Sequence, residues 1–301
     1  MAQLRAFSAV AEHLHFREAA SALGISQPAL SGAVAALEEA LGVRLLERTT
    51  RKVLLSPAGE RLAARANSVL HSLGQLMEEA EAARAPFTGL LRLGVIPTVA
   101  PYLLPTVLNL VRQHFPRLEL RVHEEQTASL LEGLAQGRLD LLLLATPLQA
   151  AGVTQLPLFE EDFVLVTPAD HPLAGRPDLP RTALRDVEVL LLGEGHCLRD
   201  QALDICREVN GAVDGPVTTT AASLSTLVQL VAGGMGVTLL PRTALRVEVG
   251  RGDRLATATF ADPPSRGVAL AMRTGTAREH EFAHLAEALR HPLTELPVRP
   301  A

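Results

Sequence analysis

Cys197 and Cys206 are the only cysteines in a chain of 301 residues. They bracket the stretch Gly195-His196-Cys197-Leu198-Arg199-Asp200-Gln201-Ala202-Leu203-Asp204-Ile205-Cys206, which has the polar entry and apolar interior of a short helix. A sulfur where a glycine loop opens into a helix feels the positive end of the helix dipole, and here also His196 and Arg199. All three favour thiolate, the nucleophilic form, so Cys197 is expected to be reactive. In a continuous helix, nine residues separate the two sulfurs by roughly 13 Å along the axis, on opposite faces. A disulfide needs alpha carbons within about 7 Å, so this pair can bridge only by unwinding the helix between them. A bond that must break structure to form can act as a switch. The same two residues can equally be small buried hydrophobes with no chemistry.

The elements that position this pair can be read outward from it. With 48% hydrophobic residues, the chain is long enough for two or three domains and buries a core without staples. No charged-then-apolar leader opens it. Its densest apolar run, Leu139 to Ala145, is interrupted by Asp140 and is too short to span a bilayer. The expectation is a cytoplasmic protein with no membrane partner, in a compartment where a lasting structural disulfide does not form. A net charge of −5 excludes a surface coated for indiscriminate nucleic-acid binding. Any DNA contact must be local.

The first 55 or so residues read as three helices and a hairpin. Phe7, Val10 and Leu14 form one stripe, Ala19, Ala20 and Leu23 a second, and Leu30, Val34, Leu37 and Leu41 a third. Ser26-Gln27-Pro28 opens the third helix with a capping serine and a proline tolerated in the first turn. The pattern is a helix-turn-helix. Gln27, Ser31 and Ala35 fall opposite the buried stripe, where short side chains let a helix enter a major groove. Val43 to Leu46 and Lys52 to Leu55 read as strands joined by the basic tip Glu47-Arg48-Thr49-Thr50-Arg51.

Ser56-Pro57 starts a further helix. Along it Leu62, Ala66, Val69, Leu73, Leu76, Ala80 and Ala83 recur at spacings of four and three, a heptad seam expected to pair with a second copy. Ala85-Pro86-Phe87-Thr88-Gly89 ends it as a hinge. Beyond, short apolar runs alternate with helical patterns, at Leu90 to Val95, Leu118 to Glu124, Leu139 to Ala145, Val189 to Leu192, Val217 to Thr220 and Val237 to Leu240. That alternation is the α/β signature. No pair among the ten histidines has ligand spacing with a cysteine, so neither a metal nor another cofactor is expected. Gly233-Gly234-Met235-Gly236 precedes a strand and reads as a structural turn, not a phosphate loop.

Taken together, several blocks make the chain similar to the LysR-type transcriptional regulators, and within them to the OxyR-type peroxide sensors. The broad family is carried by Ala11-Glu12-His13, His15-Phe16-Arg17, Ser26-Gln27-Pro28-Ala29-Leu30-Ser31 and Leu45-Leu46-Glu47-Arg48-Thr49. The sensors are carried by Ile96-Pro97-Thr98-Val99-Ala100-Pro101-Tyr102-Leu103-Leu104-Pro105 and by the block from Gly195 to Ala202. The resemblance implies an α/β protein in three parts. These are a winged helix-turn-helix at residues 1–55, a linker helix at 56–87, and a regulatory domain at 88–301 like periplasmic binding proteins. Its first subdomain takes 88–161 and 265–301, its second 162–264. The resemblance also implies that hydrogen peroxide oxidises Cys197 to a sulfenic acid that Cys206 resolves. Thr98 and Thr127 then hold peroxide, and His196 and Arg266 help to position it or stabilise the thiolate. Arg199 and Asp200 orient the helix. DNA is expected to be met by Gln27, Pro28, Ser31, Arg48, Thr49, Arg51 and Lys52.

The function expected from the sequence is a homo-oligomeric, peroxide-responsive regulator that binds promoter DNA, activates antioxidant genes and works with RNA polymerase. Two other readings stand beside it. One is a LysR-type regulator whose cleft around Thr98 and Thr127 takes a metabolite while the cysteines are incidental, and the other is a thiol peroxidase turning over at Cys197.

Overall fold

The computed structural model describes residues 1–48, 53–82, 86–210, 220–250 and 254–300. The chain divides into two units, Met1–Glu81 and Ala82–Ala301. In the first, helices α1 (Ala2–His13), α2 (Phe16–Ala22) and α3 (Gln27–Leu41) precede an antiparallel hairpin of β1 (Leu46–Arg48) and β2 (Val53–Leu55), and the long helix α4 (Pro57–Ala82) follows. Phe7, Val10, Ala19, Ala20, Leu30, Val34 and Leu37 meet in one core with Leu45. Leu14, Leu23 and Leu41 were expected in the same stripes, but they stand at helix ends and are exposed. Leu14, for example, is the left-handed cap of α1 and is 44% exposed.

The hairpin also begins later than the sequence suggests. Glu38 on α3 accepts hydrogen bonds from the N–H groups of Leu45 and Leu46, at 2.7 and 3.1 Å, which pins the chain there and leaves Val43 exposed outside any strand. The wing-tip positions 49–52 lie outside the described residues. Ser56 then caps α4, accepting from Gly59 N at 2.9 Å and donating to Arg44 O at 2.7 Å. Gly59 has to be glycine, because a Cβ there would stand 2.1 Å from Leu45 O. The heptad seam of α4 is not uniform. Leu62 and Ala66 pack onto the unit's own core, whereas Val69 and Leu76 are 50% and 60% exposed. The seam as an open apolar stripe therefore starts at Val69, and Ala83 lies outside the described residues.

The second unit contains β3 (Gly89–Val95), α5 (Ala100–His114), β4 (Leu118–Glu124), α6 (Thr127–Ala135), β5 (Leu141–Thr146), the 16-residue β6 (Val153–Pro168), β7 (Leu191–Leu192), α7 (Cys197–Asn210), β8 (Thr220–Ala221), α8 (Leu224–Ala232), β9 (Thr238–Pro241), α9 (Leu245–Glu248), β10 (Leu255–Ala258), β11 (Ser265–Arg273), α10 (Glu279–Leu293) and β12 (Arg299–Pro300). The central β3 runs parallel to both β4 and β5. β11 pairs antiparallel with β5 and with the first part of β6, whose last part pairs instead with β9 and β10. One strand thus serves two cores. The first lies around β3, β5, α5, α6 and α10, the second around α7, α8, β9 and the end of β6.

β6, β10 and β11 have no counterpart among the strands expected from sequence. Glu160, Glu161 and Asp162 sit in the middle of β6 and hide its apolar pattern. They are compensated from other strands, Glu161 by Arg266 directly opposite in β11, and Glu160 and Asp162 by Arg299 at 3.6 and 2.8 Å. β11 is buried along most of its length, so it shows no two-residue alternation. The glycines from Gly233 to Gly236 lie between α8 and β9, as a helix-to-strand turn should. Positions 217 to 219 of the expected strand lie outside the described residues. Among the described residues no single helix is long and apolar enough to cross a membrane.

Candidate functional site

Helix α7 starts at Cys197 and runs unbroken to Asn210, so both cysteines sit on one helix and both are free thiols. Gly195, with a φ of +86°, turns the chain into it. Leu198, Ala202 and Ile205 belong to the second core, but the Cys197 side chain packs against the first. Two contacts fix where this puts it. Gln126, just before α6 and therefore beyond the end of β4, donates from Nε2 to Glu194 O at 3.2 Å. Gln201, one turn past Cys197, donates from Nε2 to Thr146 O at the end of β5, at 3.4 Å. Since β3 lies between β4 and β5, the start of α7 stands over the end of β3, where Ile96-Pro97-Thr98 leads into α5. The site is the crevice outside the carboxyl ends of parallel strands, a usual ligand position in α/β sheets.

Thr98 is buried and belongs to a tight polar network. Arg266 donates to its hydroxyl from Nη1 at 3.4 Å and to its carbonyl from Nη2 at 3.1 Å. The same guanidinium is paired with Glu161, Nε and Nη2 lying 2.9 and 2.8 Å from Oε1. The Arg266 and Glu161 side chains are 1% and 0% exposed. Oε2 of Glu161 accepts from Thr243 N at 3.0 Å and from Thr243 Oγ1 at 2.7 Å. Arg266 is therefore beside Thr98, but its charge is offset by a buried carboxylate. His196 is buried as well, and burial pushes its pKa down. That shift disfavours the imidazolium form beside Cys197. Arg199 donates to Leu192 O at 2.9 Å, which anchors the first turn. Asp200 is exposed in that turn, where a carboxylate favours a helix start. Cys206 is buried, and burial pushes its thiol pKa up.

Residues 84–293 match the LysR substrate binding domain, and residues 1–60 the bacterial regulatory helix-turn-helix of the lysR family. The chain belongs to the LysR family. A probable hydrogen peroxide-inducible genes activator of Streptomyces viridosporus is 71% identical to it over 99% of this chain and 96% of the relative. Among solved structures, a hydrogen peroxide-bound cysteine mutant of Corynebacterium glutamicum OxyR aligns with 44% identity and a TM-score of 0.69, covering 98% of this chain and 92% of that one. A full-length Pseudomonas aeruginosa OxyR variant aligns with 35% identity and a TM-score of 0.75, covering 96% and 94%.

In this LysR-family chain the candidate residues of the helix-turn-helix lie on and around α3 and the hairpin. Ser26 caps α3 by accepting from Ala29 N at 3.4 Å, Gln27 and Pro28 are exposed in its first turn, and Ser31 is half-buried one turn on. Arg48 closes β1, while Thr49, Arg51 and Lys52 lie outside the described residues. Of the regulatory-unit candidates, Cys197 opens α7 just after His196, Thr98 and Arg266 are hydrogen-bonded to each other, and Thr127 opens α6 next to Gln126. Cys206 sits apart from them, about two and a half turns along α7. Four residues of this neighbourhood were missed from sequence. Gln126, Glu161 and Thr243 are brought in by tertiary contacts alone. Gln201 was within reach, because it stands four residues after Cys197 and so shares its helix face. Its Oε1 is buried and accepts no hydrogen bond among the described residues, which leaves an acceptor at the site.

Proposed function

We propose that this LysR-family chain is a peroxide-responsive, sequence-specific DNA-binding transcription regulator in which Cys197 is the sensing thiol and Cys206 resolves it. The observation that carries the reading is the placement of Cys197, the first residue of α7, against the first core and over the end of β3, with Cys206 buried further along the same helix. The names of its relatives agree with it. In the first step the Cys197 thiolate attacks one oxygen of hydrogen peroxide. An S–O bond forms, the O–O bond breaks, sulfur loses two electrons, and the other oxygen leaves as hydroxide. Thr98 and Thr127 supply hydroxyls, and Gln201 and His196 further hydrogen-bonding groups, to orient peroxide and support the leaving oxygen. In the second step the Cys206 thiol displaces water from the sulfenic acid and gives the disulfide.

That second step needs α7 to unwind, because nine residues of continuous helix separate the sulfurs by roughly 13 Å along the axis. The rebuilt segment then biases the pairing of regulatory domains, and through it promoter binding. The proposed division is a DNA-binding domain at 1–55, a linker helix at 56–87, and a regulatory domain at 88–301 with subdomains meeting near 161 and 265. The switch of β6 from one set of partners to the other at Asp162 and Phe163 supports the inner boundary. The exposed stripe of Val69 and Leu76 supports self-association through α4, and RNA polymerase is the further partner of an activator in the cytoplasm.

Mass spectrometry after stoichiometric peroxide, with free thiols alkylated, tests the switch. The expected product is a chain lighter by two hydrogens with both cysteines protected from alkylation. Two alkylated thiols would favour the metabolite-responsive reading, and sustained turnover with a thiol reductant would favour a peroxidase. On the DNA side, Gln27→Ala is expected to relax sequence preference by about tenfold, the scale of one lost base contact, in a competition binding assay.

A further inference from the structure

We propose that Glu161 is a positioning residue for peroxide at Cys197, acting through Arg266 on the proton of the Thr98 hydroxyl. This rests on the reading of Cys197 as the peroxide-reactive thiol. A threonine hydroxyl has one proton and two acceptor sites. In this structure Arg266 Nη1 donates into Thr98 Oγ1 while Nη2 holds the carbonyl of the same residue, so one guanidinium fixes both the backbone and the side chain. With an acceptor site taken by a cation, the hydroxyl proton points away from Arg266, and the hydroxyl becomes a stronger donor. The leaving oxygen of peroxide, which departs as hydroxide when the Cys197 sulfur takes the other oxygen, is the anion such a donor stabilises.

Arg266 can hold that pose only because Glu161 holds Arg266. Nε and Nη2 both converge on Glu161 Oε1, and the other carboxylate oxygen is filled by the N–H and hydroxyl of Thr243. Oε1 thus accepts from Nε with Nη2 in ion-pair contact, Oε2 accepts from two donors, and the carboxylate is fixed from β11 on one side and from the segment after β9 on the other. Glu161 and Arg266 are directly opposite in the paired strands β6 and β11, so their relative position is set by backbone register. The carboxylate also keeps the guanidinium from turning toward the Cys197 sulfur. Without its charge, Arg266 would be an unpaired buried cation free to seek the thiolate in place of the threonine.

The test compares two reactions of the same sulfur in the full-length reduced protein. Oxidation by hydrogen peroxide needs an oriented donor, whereas alkylation by iodoacetamide needs only an accessible thiolate. In Glu161→Gln the peroxide rate constant of Cys197 is expected to fall by about ten- to a hundredfold, as for a displaced donor to a developing anion, with no fall in the alkylation rate. Slow alkylation of Cys206, as in the wild type, reports that the variant is folded. If Glu161→Gln does not fold, Thr243→Val removes only the hydroxyl donor to Oε2. It is expected to slow peroxide oxidation about three- to tenfold, with Thr243→Ser restoring it. Wild-type peroxide rates in the folded variant, or equal losses in both reactions, would overturn the proposal. Slow oxidation of the wild type itself, at the rate of free cysteine, would overturn the functional reading and this one with it, whereas a fast wild type with equally fast variants sinks only the role of Glu161.

Discussion

Cys197 and Cys206 belong to one helix but to different surroundings. Cys197 is half-buried at the helix start, against the core of β3 and β5, whereas Cys206 is 6% exposed, with its thiol pKa pushed up by burial. Under the proposed function, the first is the attacking sulfur and the second the resolving one. The difference is one of position along a helix, because α7 begins with Cys197 against the first core and continues through Leu198, Ala202 and Ile205 of the second. Its far end is tied down, with Arg185 donating to Val209 O at 2.9 Å and Arg181 paired with Glu208 at 2.9 Å. Bringing the two sulfurs together therefore means giving up helix between two anchored ends.

The sharpest way to break this asymmetry is substitution of each cysteine in turn. Cys197→Ser is expected to abolish the peroxide response entirely, while Cys206→Ser still forms a sulfenic acid, trapped by a dimedone-type probe, and no intramolecular disulfide. A sulfenic acid at Cys206 in the Cys197→Ser protein would reverse the two roles. Next in size, Thr98→Val keeps the volume and removes the hydroxyl, and it should slow oxidation of Cys197 by about ten- to a hundredfold, read by stopped-flow kinetics. Unchanged kinetics would remove the threonine from the site.

Hydrogen exchange sharpens the comparison between the two ends. Amides from Leu198 to Ile205 should lose protection by an order of magnitude or more in the disulfide form, as expected when a helix opens. Equal protection with the bond confirmed would mean that the sulfurs meet without unwinding. The smallest effect is in pH dependence. Burial lowers the His196 pKa, so below about pH 6.5 the unfolded chain binds a proton that the folded one resists, and stability falls as pH falls through that range. Cys206 gives the opposite edge. Its raised pKa keeps it a thiol in the folded protein, so above about pH 8.5 the unfolded state ionises first and stability falls as pH rises. Thermal melts of His196→Gln and Cys206→Ser should each flatten one edge, and a wild-type profile in both would show that neither group is buried as described.

Much of this was legible in the amino-acid sequence. The capping serine and proline of α3, the core stripe of Leu30, Val34 and Leu37, and the helix opening at Cys197 are local patterns whose period and end signals are written in neighbouring residues. What the sequence could not decide was which elements share a wall. Leu62 and Ala66 carry the same heptad spacing as Val69 and Leu76, but only the fold shows that the first two are already covered. Glu160, Glu161 and Asp162 interrupt the apolar pattern of β6, and only the fold shows that the strands opposite supply Arg266 and Arg299. His196 reads from sequence as a neighbour that favours thiolate, and only its burial in the fold shows that its charged form is disfavoured. Sequence determines periodicity, caps and reactive residue types because these depend on residues a few positions apart, whereas charge compensation and burial depend on partners tens to a hundred residues away, which only the tertiary structure brings within a few ångströms.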